Sequence, residues 1–279
     1  MRSLIAFSLS LYSATAFAQD HVVHSFDRVQ LSDVFYSEGA DFGDFNNDGK
    51  HDIVSGPFWY EGPSFETKHE IYPPQPFNKA VYSDNFFAFV DDLNGDEWTD
   101  VLVIGFPGKE AFWYENPKDT NGHWKRHLAF DIVDNESPHY TDLTGDGKNE
   151  LVFHTGGKFG WAGPDPNDPT KPWKFHPVTP DLKYQRFTHG MGVGDVNGDG
   201  KNDILEKSGW WENGPITDEK PHWTFHKFPF SGPGGAQMYA YDVDGDGDND
   251  VITSLAAHAY GLSWYEQIRQ DGEITFKQH

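Results

Sequence analysis

Five short acidic segments hold the residues best suited to bind a cation. Each is a nonamer with oxygen-bearing side chains at positions 1, 3, 5 and 9, and four of the five have glycine at position 6. Calcium prefers such hard oxygen ligands, and the residue at position 7 would add its backbone carbonyl. The sequence therefore predicts up to five Ca²⁺ sites. Their residues are Asp44, Asn46, Asp48, Lys50 and Asp52 in loop one (44–52); Asp92, Asn94, Asp96, Trp98 and Asp100 in loop two (92–100); Asp142, Thr144, Asp146, Lys148 and Glu150 in loop three (142–150); Asp195, Asn197, Asp199, Lys201 and Asp203 in loop four (195–203); and Asp242, Asp244, Asp246, Asp248 and Asp250 in loop five (242–250).

Two other interpretations of these loops fit the sequence less well. Loop four has Glu206 at position 12, where an EF-hand carries its bidentate glutamate, but the other four loops have no acidic residue there. Aspartate, asparagine and glycine also form ordinary polar turns, yet five loops in register favour cation binding. We expect loops two and three to bind most weakly. Loop two has Glu97 in place of glycine, and loop three has Thr144 and Glu150 at positions 3 and 9.

A second group of residues suited to chemistry does not follow the repeat. His139 and His189 fall on or just before the first strand of a unit, whereas His154 and His258 fall at the end of the second strand or after it. With Glu206, these histidines are candidates for a catalytic or transition-metal site. The alternative is that they are isolated surface or channel-lining groups. None of the common hydrolase, metalloprotease or nucleotide-binding motifs occurs, so no reaction follows from motifs.

The elements that position these residues repeat about every 50 residues. Each acidic loop precedes a short apolar run, then an aromatic segment such as FWYE, then a segment ending in His. This order predicts four short antiparallel strands, A to D, with the acidic loop between A and B. Repeated units of this kind are typical of an all-β β-propeller. The five predicted units are 32–72, 73–130, 131–179, 180–229 and 230–279.

The aromatic residues follow the same repeat, which favours packing over sugar binding. Nine of the ten tryptophans fall on strand C or at the start of strand D, and only Trp98 lies elsewhere. We expect them, and the histidine that recurs on each strand D, to pack between sheets. The tryptophans are Trp59, Trp113, Trp124, Trp161, Trp173, Trp210, Trp211, Trp223 and Trp264, and the histidines are His69, His127, His176, His226 and His279.

The nonamer followed by apolar residues, in units of this length, resembles the FG-GAP/VCBS repeats of integrin-type β-propellers. The W-[YW]-E and W-x-x-H segments resemble, more loosely, the propeller domain of aldos-2-ulose dehydratase, a sugar-processing enzyme. The first resemblance implies calcium on one face and a ligand on the opposite face, formed by the D–A and B–C loops. The B–C connections vary in length while the nonamer is constant, so we expect specificity on that opposite face.

The N-terminus and the charge limit location and partners. Residues 1–18 contain an arginine, a short apolar stretch and an Ala-Phe-Ala cleavage sequence, which predicts a signal peptide and export to the periplasm or the extracellular space. The chain has 44 acidic and 21 basic residues and no cysteine. This charge argues against nucleic acid or anionic membranes as partners, and no segment predicts membrane insertion.

These features predict an exported calcium-binding β-propeller that recognises a carbohydrate or protein ligand opposite the calcium loops. One alternative is a sugar-processing lyase or dehydratase with a histidine site in the central channel, and another is a structural module of a larger assembly. Residues 25–31 resemble a surplus strand D, and unit five ends within its own strand D at His279. We therefore expect an incomplete ring, with one or more further blades outside this sequence.

Overall fold

The computed structural model describes residues 25–119, 121–217 and 220–279. The chain divides into two compact units, residues 1–30 and residues 31–279. Within the first unit, the predicted signal peptide lies outside the described residues. The predicted strand over 25–31 is wrong: this segment forms no strand, and Phe26 and Val29 are exposed. A few apolar residues in a short polar segment do not specify a strand, because a strand is completed only by backbone hydrogen bonds with a neighbour.

In the second unit, the secondary structure of the described residues consists of β-strands, as the sequence predicts. No helix of the described part is long and apolar enough to cross a membrane. The nineteen strands form sheets of four, seven and eight strands. They are β1 (Ala40–Gly43), β2 (Asp52–Ser55), β3 (Phe58–Tyr60), β4 (Lys68–Glu70), β5 (Phe87–Asp91), β6 (Asp100–Ile104), β7 (Lys109–Glu115), β8 (Lys125–Thr141), β9 (Glu150–Thr155), β10 (Lys158–Ala162), β11 (His176–Pro177), β12 (Met191–Gly194), β13 (Asp203–Glu206), β14 (Gly209–Thr217), β15 (Lys220–Lys227), β16 (Gln237–Tyr241), β17 (Asp250–Ser254), β18 (Leu262–Gln270) and β19 (Glu273–Gln278).

The strands pair in the predicted order. Antiparallel runs of four are β1–β4, β5–β8, β8–β11, β12–β15 and β16–β19. The second and third runs share β8, which continues through the predicted unit boundary at residues 130 and 131. Its pairing is irregular between Asp134 and His139, and Asn135 has a positive φ of 62°. A bulge in one long strand therefore replaces a loop between these two units.

The register places the acidic loops at one end of each run. In the fourth run Gly194 pairs with Asp203 at the loop, and Met191 pairs with Glu206 at the other end of the same two strands. Residues just before the first strand or just after the second therefore lie away from the loops. This is where the sequence predicts His189 and His258, and both lie there.

The interior confirms the predicted packing role of most tryptophans. Trp59, Trp113 and Trp210 are almost completely buried. In all five runs, the strand C tryptophan stacks on the recurring strand D histidine, with ring centroids 4.1–4.3 Å apart. In four runs a glutamate carboxylate contacts Nε2 of that histidine at 2.6–2.8 Å: Glu61, Glu115, Glu212 and Glu266. Indole, imidazole and carboxylate thus form a repeated contact between the last two strands.

A set of side-chain amides joins successive runs. Asn213 donates to the Leu143 carbonyl in loop three at 3.1 Å and to the Asn202 carbonyl at 3.2 Å. Asn116 and Gln267 make the equivalent contacts with loops one and four. Each amide directly follows the glutamate of its W-[YW]-E segment. Asn or Gln at that position is visible in the sequence of three units and is the signal for these contacts.

Candidate functional site

Backbone hydrogen bonds to the carboxylate at position 1 close each acidic loop. In loop four, Asp195 Oδ1 accepts from the amides of Gly198 and Asp199 at 2.7 and 3.1 Å, and its Oδ2 accepts from Gly200 at 2.9 Å. The first aspartates of the other four loops accept equivalent bonds. This compact turn directs the remaining side-chain oxygens toward one another.

In four of the five loops, the carboxylate at position 9 connects the loop to strand C or to the residues just after it. Asp203 is fully buried, and its two oxygens accept from the amides of Val196 and Asn213 at 2.9 and 2.8 Å. Burial raises the pKa of Asp203 to about 7, and burial likewise raises the pKa of Asp100 to about 7. A nearby cation would favour the ionised form of both groups. Position 9 therefore has a structural role in addition to its predicted role as a ligand.

The donor set of two loops fits a hard divalent cation. Asp142, Asp146 and Glu150 in loop three each offer an oxygen within 4.8 Å of the others, and so do Asp242, Asp244 and Asp250 in loop five. Several carboxylate oxygens around one point are the ligands that Ca²⁺ takes.

The carboxylate at position 5 has a different partner in the other three loops. Lys50 Nζ lies 2.9 Å from Asp48, Lys118 Nζ lies 3.1 Å from Asp96, and Lys201 Nζ lies 3.4 Å from Asp199. An ammonium group there partly neutralises the carboxylate that would face a cation. By their grouped carboxylates, loop three thus resembles loop five. The sequence instead predicts that loops two and three bind Ca²⁺ most weakly. The relative affinities of the loops stay a prediction.

The glycine position of these loops gives a test of backbone strain. Glu97 has φ +68°, in the region where the four corresponding glycines lie, and a Cβ added at Gly200 would contact nothing within 4 Å. We expect Glu97→Gly to stabilise the protein by about 0.5–1 kcal/mol, because relief of left-handed strain exceeds the added chain entropy. Gly200→Ala should destabilise it by about 1–2 kcal/mol. Urea denaturation checks both, and a destabilising Glu97→Gly would contradict the explanation.

Two of the four out-of-register histidines come together. His189 and His258 contact each other edge to face, with ring centroids 4.8 Å apart. Glu136, which the sequence analysis missed, lies beside them, with Oε2 3.3 Å from His189 Nδ1. One ligand atom from each of the three residues lies within 4.8 Å of the other two. The repeat gives no signal for Glu136, because the predicted unit boundary divided the long, irregular strand β8 on which Glu136 lies.

His139 and His154 are outside this cluster. His139 Nε2 lies 3.3 Å from the Met191 carbonyl, and its ring packs edge-on against Tyr239. His154 is fully buried between the rings of Phe159 and Tyr184. Burial lowers the pKa of both imidazoles. The geometry of these two histidines fits isolated, packed groups better than a shared site. His154 is too buried to be the surface or channel-lining group of the alternative interpretation.

Glu206, the remaining candidate, pairs with a tyrosine. It is 2% exposed, and Tyr184 donates its hydroxyl to Glu206 Oε2 at 2.7 Å. Burial raises the pKa of Glu206, and burial also raises the pKa of Tyr184. Lys207 Nζ lies 5.2 Å from the centroid of the Tyr184 ring. Both Tyr184 and Lys207 face the pocket that also contains His189 and His258.

This pocket has a volume of about 590 Å³ and an aromatic wall. Tyr82 stacks on Phe106 with ring centroids 5.2 Å apart, and the ring centroids of Phe106 and Phe187 are 5.7 Å apart. Tyr82 is 56% exposed and Phe187 is 37% exposed. The rest of the lining includes charged and hydrogen-bonding groups, among them Glu136, Lys183 and Lys207. The pocket therefore combines exposed ring faces with polar groups.

The comparison with known sequences supports the predicted repeat. Residues 92–153 match the sequence model of the FG-GAP-like repeat, which confirms the resemblance across loops two and three and the strands between them. No curated protein matches the chain. The fold and loops therefore define an all-β protein that contains FG-GAP-like repeat sequence.

Three solved structures are similar to this chain, and the first of them shares its fold. A lectin of Agrocybe aegerita that recognises non-reducing terminal N-acetylglucosamine has a TM-score of 0.52 at 17% identity, over 85% of this chain and 64% of the lectin. Rhamnogalacturonan lyase YesW has a TM-score of 0.48 at 15% identity, over 85% and 49% of the two chains. The V. cholerae biofilm matrix protein Bap1 has a TM-score of 0.47 at 14% identity, over 84% of this chain and 38% of Bap1. The chain thus spans less than two thirds of each.

Proposed function

We propose that the protein is an exported, calcium-stabilised β-propeller with five four-stranded blades in this sequence. Its ligand is a carbohydrate, bound in the aromatic-walled pocket opposite the acidic loops. The observation that carries the proposal is that pocket, since Tyr82, Phe106 and Phe187 present ring faces beside hydrogen-bonding groups. Sugar rings have apolar faces and polar edges, and such a lining complements both.

The strand arrangement supports the propeller. The first strands of runs four and five, β12 and β16, pair in parallel, with Met191 opposite Gln237 and Gly192 opposite Met238. Parallel first strands are expected where blades surround a common channel. The amides of Asn116, Asn213 and Gln267 join loops of neighbouring runs, as expected for blades of one ring.

Loss of one ring face tests the carbohydrate proposal. We expect Phe187→Ala to weaken binding at least tenfold, about 1.4 kcal/mol, in titrations with N-acetylglucosamine-terminated and uronic-acid-containing oligosaccharides. Phe225→Ala is the matched control, because Phe225 is also 37% exposed but lies outside this pocket on β15. Equal affinity of the two variants, or no binding of either sugar class by the unsubstituted protein, would contradict the proposal.

A sugar-processing lyase or dehydratase is the second candidate function. The observation that favours it is that Tyr184, Lys207 and His189 line the same pocket. Tyr184 also donates its hydroxyl to the buried Glu206 behind the pocket wall. Elimination from a sugar needs a base for a carbon-bound proton and an acid for the leaving oxygen. Incubation with the uronic-acid oligosaccharides tests this, since elimination creates a double bond that absorbs ultraviolet light. Binding without such product would leave recognition as the function.

A further inference from the structure

We propose that Glu136, His189 and His258 form a binding site for one borderline transition-metal ion, with Zn²⁺ the best match. This site is separate from the acidic loops and goes beyond the proposed carbohydrate recognition. It can exist whether or not a sugar binds.

The donor set selects the class of ion. Two imidazoles and one carboxylate suit zinc and its neighbours, whereas calcium takes oxygen ligands. In a tetrahedral complex with bonds of about 2.0–2.1 Å, ligand atoms are about 3.3 Å apart. His189 Nδ1 and Glu136 Oε2 lie 3.3 Å apart, and the largest separation among the three ligand atoms is within 4.8 Å. A small movement of the exposed His258 side chain would complete the triangle.

The three ligand residues come from three segments of the chain, and backbone contacts hold these segments together. The bulge in β8 positions Glu136, because the Asn135 amide donates to the Arg186 carbonyl at 2.7 Å. Gly234 packs against the backbone of His189 so closely that no Cβ would fit. The Gly234 carbonyl accepts from the amide of Ala257, next to His258, at 3.0 Å. Gly234 therefore connects the two histidine segments, and the site is organised by the fold.

The three ligand residues are only partly buried, so the site is accessible from the pocket. The side chains of His189 and Glu136 are 14% and 22% exposed, and His258 is exposed. All three residues line the aromatic-walled pocket. Three protein ligands with a fourth position toward a pocket are typical of zinc sites that accept water or a ligand. An ion here could therefore coordinate a ligand oxygen in the pocket.

Metal titration of the full chain tests the site without any sugar. The protein is freed of metal, returned to about 1 mM Ca²⁺ to fill the acidic loops, and titrated with Zn²⁺ by calorimetry and with Co²⁺ by visible absorption. We expect one Zn²⁺ per chain, and Co²⁺ bands of a four- or five-coordinate nitrogen–oxygen site. His189→Ala should abolish this binding, and Glu136→Gln and His258→Ala should each weaken it at least tenfold.

A second histidine–glutamate pair supplies the control. His123 Nε2 lies 3.1 Å from Glu70 on the exposed surface, so His123→Ala removes a comparable pair and should leave Zn²⁺ binding unchanged. Melting in Ca²⁺ should show each variant folded. The proposal is overturned if saturating Ca²⁺ displaces the Zn²⁺, if His123→Ala weakens binding as much as His189→Ala, or if no Zn²⁺ binds. Sugar binding without Zn²⁺ binding would refute the metal site alone.

Discussion

Removal of calcium should lower the free energy of unfolding by about 7 kcal/mol. Extracellular calcium modules bind with dissociation constants of about 10⁻⁴ M, so about 1 mM Ca²⁺ contributes roughly 1.4 kcal/mol per site. The contribution of five such loops, about 7 kcal/mol, is comparable to the whole free energy of unfolding of many domains. The physical reason is the crowding of carboxylates, which repel one another without a cation. Loop three brings three of them together, and so do Asp242, Asp244 and Asp250 in loop five.

Thermal melting with Ca²⁺, with Mg²⁺ and with a chelator measures this contribution. Magnesium should restore less stability, because it requires a nearly octahedral shell and gives up its water reluctantly. Asp146→Ala should lose more of the calcium-dependent stability than Asp48→Ala, since Asp48 already pairs with Lys50. An unchanged midpoint in chelator would show that the five loops are ordinary polar turns.

Much of the architecture could be predicted because it repeats. The acidic nonamer and the W-[YW]-E segment recur in register, so the order of strands and the position of each loop follow from the period. The antiparallel register then places the end of strand B and the start of strand A at the same end of a run. For this reason the general location of His189 and His258 could be predicted from their offsets to the nonamer.

The parts that do not repeat could not be predicted. Glu136 joins the histidines only because β8 continues across two runs and Asn135 adopts a positive φ. The approach of His189 to His258 depends on Gly234, whose fit against the His189 backbone is a tertiary contact. His139 and His154 lie within β8 and β9 and not beyond the strand ends, and their side chains point into packed surroundings. The distance of a residue from the nonamer in sequence shows which end of a strand it lies near. It does not predict the direction of the side chain or the path of a loop.

The repeated contact of indole, imidazole and carboxylate leads to the last prediction. Trp113 is fully buried, stacks on His127 at a centroid distance of 4.3 Å, and packs among the apolar residues around β6 to β9. We expect Trp113→Ala to destabilise the protein by about 3–5 kcal/mol, through lost transfer free energy and the cavity left behind. Urea denaturation followed by circular dichroism measures the change.

Trp161 is the matched control because it occupies the same position of the repeat. It stacks on His176 at 4.1 Å, but it is only half-buried, and its run has Gly163 where the other runs have the glutamate. We expect Trp161→Ala to cost about 2 kcal/mol less than Trp113→Ala, since less apolar surface leaves water when Trp161 packs. Equal and small losses for both variants would mean that the strand C tryptophans do not hold the blades together. Their indoles would then have to be reconsidered as binding surfaces, which the sequence analysis set aside in favour of packing.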